Sequence, residues 1–308
     1  MSQRPTRQRR SEVRPARSRL IPRLVSFLFI FVAVVMIIAM VNGNGSNDNK
    51  QSTNPLTTMK RQFFGDQIGD RLQQAWQKQL SGTDQNVSIA IYSPVTGQTY
   101  RLTRASHGHK FHTASTVKVG VMAALLLDNN GQLNDTENSL AQTMIENSNN
   151  DATSTLFDDY IGGQSGLQDV YNRVGMDHTK VNQAWGLTTT TASDQVKLLN
   201  NIFYKSNLLT PDERQQIYSL MDNVEEDQSW GTSAGAASYQ LKNGWLFYGS
   251  DQWIVNSIGH VTLKNGVDYT IAIYTDGSSS MNEGETLIEN LAKATAKVMK
   301  NANLTNNN

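Results

Sequence analysis

The chain contains no cysteine among its 308 residues. That absence excludes a disulfide framework, a thiolate zinc site, a cysteine-ligated iron–sulfur cluster and a cysteine nucleophile. Net charge is also missing, since 27 basic side chains balance 27 acidic ones. Such neutrality argues against a chain that coats nucleic acid along its whole length. What remains, 308 residues of which 38% are hydrophobic, suffices for one large or two ordinary domains with a real core.

The neutrality is a sum of unequal parts. Residues 1–23 carry eight arginines against the single Glu12, a local charge of +7, and the remainder of the chain therefore sums to −7. Directly after this basic arm, residues 24–41 contain one polar side chain, Ser26. At ~1.5 Å per residue, such a helix reaches about 27 Å, close to the hydrocarbon thickness of a bilayer. Arginine-rich flanks stay on the cytoplasmic side, so the expected arrangement is a single-pass signal-anchor with the rest of the chain outside. Two rival readings are a cleaved signal peptide, which would leave a secreted domain, and nucleic-acid binding by the arm. The first lacks a good small-residue cleavage site around Ala39 to Gly43, and the second sits poorly beside a membrane span. Residues 42–58, dominated by Asn, Gly, Ser and Thr, read as a flexible linker able to extend on the order of 50 Å. Residues 301–308 read as a disordered tail, and no internal repeat is visible. The globular domain is thus expected over 59–300.

Within it, residues 59–80 have helical apolar spacing. Alternating strands follow at 86–93 and 98–103, joined by the turn Pro94-Val95-Thr96-Gly97. From 115 to about 224 the spacing is helical almost throughout. Alternation then returns at 239–247, 253–263 and 268–275, and a helix over 283–299 closes the domain. The fold class is therefore α/β in the broad sense and α+β in detail: an antiparallel sheet flanked by terminal helices, plus an all-helical subdomain. A cleft between these two parts is the natural site.

Chemistry lies at the seams. Ser115-Thr116-Val117-Lys118 stands where a loop enters a Val/Ala/Leu-rich helix, and three residues place the hydroxyl and the amine on one face. A serine needs a base, and a lysine can be that base when burial or neighbouring cations depress its pKa. With 26 serines and 13 lysines, about one such spacing arises by chance. Two further groups strengthen it: Ser148-Asn149-Asn150 between helical stretches, and Lys242-Asn243-Gly244 in the first returning strand. Taken singly, Ser148 reads equally as a helix cap and Lys242 as an exposed strand lysine. The same spacings at Ser52, Ser280, Lys118 and Lys264 fall in the linker, before the last helix, inside a helix and in an Asn-Gly hairpin turn.

The ordered set S-x-x-K, S-x-N and K-x-G over 59–300 resembles the penicillin-recognising serine hydrolases, specifically class A β-lactamases and their DD-peptidase-like relatives. The resemblance implies that Ser115 is acylated, that Lys118 takes its proton, and that Ser148 relays a proton to the leaving nitrogen with Lys242 setting its electrostatics. It further implies that Lys242 and Asn243 face a substrate carboxylate, that Asn150 binds the substrate amide, and that the N–H groups of Ser115 and of Trp245, just after Gly244, form the oxyanion hole. The implied substrates are small molecules or peptidoglycan-type peptides, with no metal or organic cofactor.

Three departures bear on mechanism. The glutamate of the family's E-x-x-L-N loop, which activates the deacylating water, has no counterpart, because no glutamate lies between Glu146 and Glu213. Slow deacylation is therefore expected. Asn243 replaces the hydroxyl residue of K-[TS]-G, and Asn149 replaces the aspartate of S-D-N. The competing reading is a catalytically quiet wall- or peptide-binding module on the same fold. Other constellations carry less. His107, His109 and His112 lack a convincing fourth zinc ligand, and His260 in a strand has no reason to face Ser115. Trp245, Phe247, Tyr248 and Trp253 read as strand packing or as a substrate rim.

Overall fold

The computed structural model describes residues 55–249 and 252–301. The arginine-rich residues 1–23, the apolar stretch 24–41 expected to span a membrane, most of the stretch expected as linker and the residues beyond 301 lie outside the described residues. Among the described residues no helix is long and apolar enough to cross a membrane. Helix α1 runs Pro55–Leu80, so it begins inside the stretch read as linker. A proline in the first turn is already set to helical φ and gives up an N–H that has no intrahelical partner there.

Strands β1 (Asn86–Ser93) and β2 (Gln98–Arg104) form the first hairpin. Two short strands, β3 (Phe111–His112) and β4 (Thr189–Thr190), pair with each other across the helical region. The long strands β5 (Ser238–Tyr248), β6 (Gln252–Thr262) and β7 (Asp268–Ser278) return to the main sheet. Its order is β2-β1-β7-β6-β5, with every neighbour antiparallel. The intervening helices are α2 (Lys118–Asp128), α3 (Asp135–Glu146), α4 (Asn150–Thr155), α5 (Gly163–Val174), α6 (Ala192–Phe203) and α7 (Pro211–Asp222), and α8 (Met281–Met299) ends the fold.

Strand alternation builds two cores. Ile89 and Ile91 of β1, Val255 of β6 and Ile271 and Ile273 of β7 face α1 and α8, where Leu72, Trp76, Ile288 and Leu291 meet them. The intervening residues Ala90, Ile258, Ala272 and Tyr274 face the helical layer. Ala90 and Ala272 are directly paired, and their small side chains let α6 lie close against β1 and β7. Helix α2 is buried continuously from Lys118 to Leu126, so it forms the centre of the helical layer. At Gly120 an added Cβ would stand 2.3 Å from the Tyr171 hydroxyl, which is why this packed helix carries a glycine near its start.

The turn before α2 is fastened to the sheet by side chains. Asn256 of β6, fully buried, donates from Nδ2 to the carbonyls of His112 (2.9 Å) and Thr113 (3.2 Å) and accepts from the Thr275 N–H (3.2 Å). The Thr116 hydroxyl donates to the Thr113 carbonyl (2.8 Å) and lies 2.7 Å from the Tyr274 hydroxyl. Asn256→Leu therefore removes the side-chain partner of the His112 carbonyl and of the Thr275 N–H, while the Thr113 carbonyl keeps Thr116. It is expected to lower stability by roughly 1–3 kcal/mol, read as a lower urea midpoint at unchanged slope. An unchanged midpoint would show that the turn is held by other contacts.

Candidate active site

Ser115 sits in a tight helical turn, Ala114–Val117, that leads directly into α2. Ala114 adopts φ +45°, a conformation that costs an L-residue on the order of 1–2 kcal/mol and that the fastened turn maintains. Strand β5, an edge of the sheet, passes against this turn at Gly244. A Cβ there would lie 2.7 Å from the Ser115 amide nitrogen and 2.8 Å from that of Thr116. These are backbone atoms that cannot swing away, so the close approach of strand and turn requires glycine. Half-buried Ser115 opens into a cleft of about 390 Å³ whose walls include Asn150, Trp185, Leu187, Trp245 and Tyr248.

Lys118 is fully buried. Its amine donates to the Ser148 carbonyl (2.6 Å), the Ser148 hydroxyl (3.1 Å) and Asn150 Oδ1 (2.9 Å). The ring of Trp185 covers it at 5.2 Å, and the Trp185 indole N–H is anchored on the Ser154 hydroxyl at 3.2 Å. Burial first, and the nearby charge of Lys242 second, push the Lys118 pKa down to about 7. Lys242, equally buried, is also brought down to about 7 by burial. Near neutral pH a large share of each amine is thus uncharged, and a neutral Lys118 carries the lone pair that a base for Ser115 needs.

Ser148 presents both its oxygens to Lys118 because it adopts φ +56°. It is not the cap of α4: Asn149 is, accepting from the Ala152 N–H at 2.8 Å. The amide at this position therefore supplies a structural hydrogen bond without a charge. Lys242 reaches Gln228 Oε1 at 3.5 Å, and Gln228 Nε2 donates to the Asn147 carbonyl at 3.2 Å. Asn243 donates from Nδ2 to the carbonyls of Gln228 (2.8 Å) and Trp230 (3.0 Å). Its amide nitrogen is thereby directed at the segment around Glu226–Gln228, which straps the Ser148 turn to β5. Trp245 packs at 5.9 Å from Trp230.

The structure thus brings Ser115, Asn150 and Trp245 to the cleft wall, gathers Lys118 and Ser148 with Asn150, and sets Gly244 against the Ser115 turn. Lys242 and Asn243 lie beneath, tied to Gln228. Sequence reasoning overlooked Gln228, Trp230 and Trp185. The first two belong to no motif, whereas a tryptophan in the short segment 181–193 was a readable signal. The histidines have separate partners: His109 pairs with Asp276 at 2.6 Å, and His112 Nδ1 meets the Leu187 carbonyl at 3.1 Å. His260 stacks on Phe203 and pairs with Asp268 at 3.1 Å. It lies four residues along β6 from Asn256, on the order of 13 Å. Among the described residues no cluster of three or more His, Asp or Glu is arranged to hold a metal ion.

Residues 132–299, more than half of the chain, match the model of the beta-lactamase enzyme family. No curated protein sequence matches the chain. Among solved structures, the fold is similar to the TLA-1 extended-spectrum β-lactamase, with a TM-score of 0.65 at 18% identity over 75% of this chain and 98% of that one. It is likewise similar to a class A β-lactamase from Bacteroides cellulosilyticus DSM 14838, with a TM-score of 0.64 at 16% identity over 75% and 98%. PBP-A gives a TM-score of 0.63 at 19% identity over 75% and 96%. At these identities the likeness is one of fold.

The two depressed amines make a signed prediction. Modification of Ser115 by a neutral fluorophosphonate, followed by mass, should accelerate as pH rises through about 7 and then level as Lys118 becomes neutral. Lys242→Met removes the repelling charge, so the inflection should move to higher pH. An inflection near that of an exposed lysine, or one indifferent to Lys242, contradicts this assignment.

Proposed function

The chain belongs to the beta-lactamase enzyme family, and on that premise we propose that it is a serine hydrolase acylated on Ser115 by a β-lactam, a D-alanyl peptide or a related amide or ester, and slow to release the acyl group. The observation that carries this reading is the buried Lys118 amine, held by Ser148 and Asn150 next to the Ser115 turn. Ser115 Oγ attacks the substrate carbonyl and its proton passes to neutral Lys118, directly or through a water. Negative charge developing on the carbonyl oxygen is met by the backbone N–H groups of Ser115 and Trp245. The Ser148 hydroxyl returns a proton to the departing nitrogen, with Lys242 nearby favouring its release.

Deacylation needs a base for water on the acyl-enzyme. Among the described residues no carboxylate lines the cleft, and the segment 181–193 supplies Trp185 over Lys118 instead. An apolar ring there activates no water, which supports a persistent acyl-enzyme. A PBP-A variant, whose fold is similar, has been captured as an acyl-enzyme complex with penicillin G. We further propose that the apolar segment 24–41 anchors the chain in the cell membrane, with the arginine arm cytoplasmic and the domain acting outside.

Intact mass of the full chain, followed over time with a panel of β-lactams, tests this reading. The expected result is an adduct that outlasts the incubation and is absent from Ser115→Ala. Rapid appearance and loss of the adduct would remove the slow-release part. Ligand retention without an adduct, undiminished in Ser115→Ala, would establish the binding module instead.

A further inference from the structure

The cleft in front of Ser115 offers little to a negative charge. Its wall is aromatic and aliphatic at Trp185, Leu187, Trp245, Leu246 and Tyr248, and polar at Ser115 and Asn150. No arginine lines it. Arg104 is spent on the carbonyls of Leu80 and Gln85, and Arg214 on that of Ile202. The two nearby cations are fully buried and engaged, Lys118 with three acceptors and Lys242 toward Gln228. Asn243, where the family pattern has a hydroxyl for the substrate carboxylate, gives its amide protons to Gln228 and Trp230. His112, beside the wall, faces the Leu187 carbonyl with Nδ1, so that nitrogen is an N–H donor already in use. A carboxylate entering this cleft meets neutral donors at Ser115 and Asn150 but no cation in its wall, so the water it loses is poorly replaced. Apolar surface continues outward at the rim instead, where Tyr248, one of the lining residues, is 48% exposed.

We propose that the cleft selects an uncharged acyl donor bearing an aromatic or branched apolar group, and discriminates against donors with a carboxylate beside the scissile bond. This deepens the reading of Ser115 as nucleophile and rests on it. The occupant is a small neutral ester, thioester or amide, a size that the ~390 Å³ cleft accommodates. With a thioester, the bond from Ser115 Oγ to the acyl carbon forms and the carbon–sulfur bond breaks. The serine proton passes by way of Lys118 to the departing thiolate, which leaves as a thiol. Of the donors proposed for Ser115, the neutral ester or amide is then the preferred one. D-alanyl-D-alanine peptides, which carry a carboxylate beside the scissile amide, are disfavoured, and strained β-lactams, which carry one too, acylate Ser115 slowly, driven by ring opening rather than by fit.

The test uses the full chain and two thioesters of phenylacetylglycine, one with thiolactate and one with its carboxamide, identical but for the charge. Thiol release and the Ser115 adduct are followed together, and a neutral fluorophosphonate reports the nucleophile independently. The carboxamide should acylate Ser115 about tenfold faster or more, and phenylacetylglycyl should exceed the acetyl thioester of the same uncharged thiol by at least the roughly 10–200-fold that one methylene is worth in an apolar pocket. Fluorophosphonate labelling of Ser115 together with equal rates, or with a preference for the carboxylate, overturns this inference and leaves the nucleophile standing. If neither probe type modifies Ser115, the nucleophile assignment and the inference fall together.

Discussion

The whole site depends on one constraint, the burial of the Lys118 amine. An ammonium taken out of water must find acceptors, and here it finds three on Ser148 and Asn150. Those acceptors are in place because Ser148 bends into a left-handed conformation and Asn149 caps the next helix. The amine's position in turn requires α2 to enter the helical layer at Lys118 with no polar flank, hence the uninterrupted burial to Leu126. The same burial that raises the cost of the charge makes the neutral amine accessible near neutral pH. Structure and reactivity thus follow from one desolvated lysine.

Around it, the sheet and the helical layer do different work. The sheet supplies rigidity: Asn256 and Tyr274 hold the turn, and the missing side chain of Gly244 lets β5 come into backbone contact with it. The helical layer supplies the polar partners and the roof, with Trp185 fixed on Ser154 and set over the amine. A ring in that place shields Lys118 from water and offers no base to an attacking water. The strap around Gln228 and Trp230 joins the two halves, and it absorbs the polar capacity of Asn243. The cleft that results is hydrophobic in wall, with its two nearest cations, Lys118 and Lys242, buried behind it.

Much of this was legible in the sequence because the relevant signals are periodic or ordered. Period-two alternation located all five strands of the main sheet, and helical spacing located the terminal helices and the block between them. What escaped has no period. Two-residue strands such as Phe111–His112 and Thr189–Thr190 are too short to alternate, and the threonine run 188–191 was absorbed into the helical block. The start of α1 at Pro55 was hidden by the polar composition around it. Asn256, Gln228 and Trp230 act through contacts distant in sequence, which no local pattern reports. Asn149 was read for the aspartate it replaces, although its position before a helix was itself a capping signal. The apolar segment 24–41 rests on composition alone.

The most direct measurement is titration of the Lys118 amine itself by NMR of labelled lysine in the full chain, with Lys118→Met providing the assignment. The account predicts a resonance that titrates near pH 7 and shifts upward when Lys242 is replaced by Met. A Lys118 amine that stays protonated up to the ordinary lysine range, about 10.4, would contradict it.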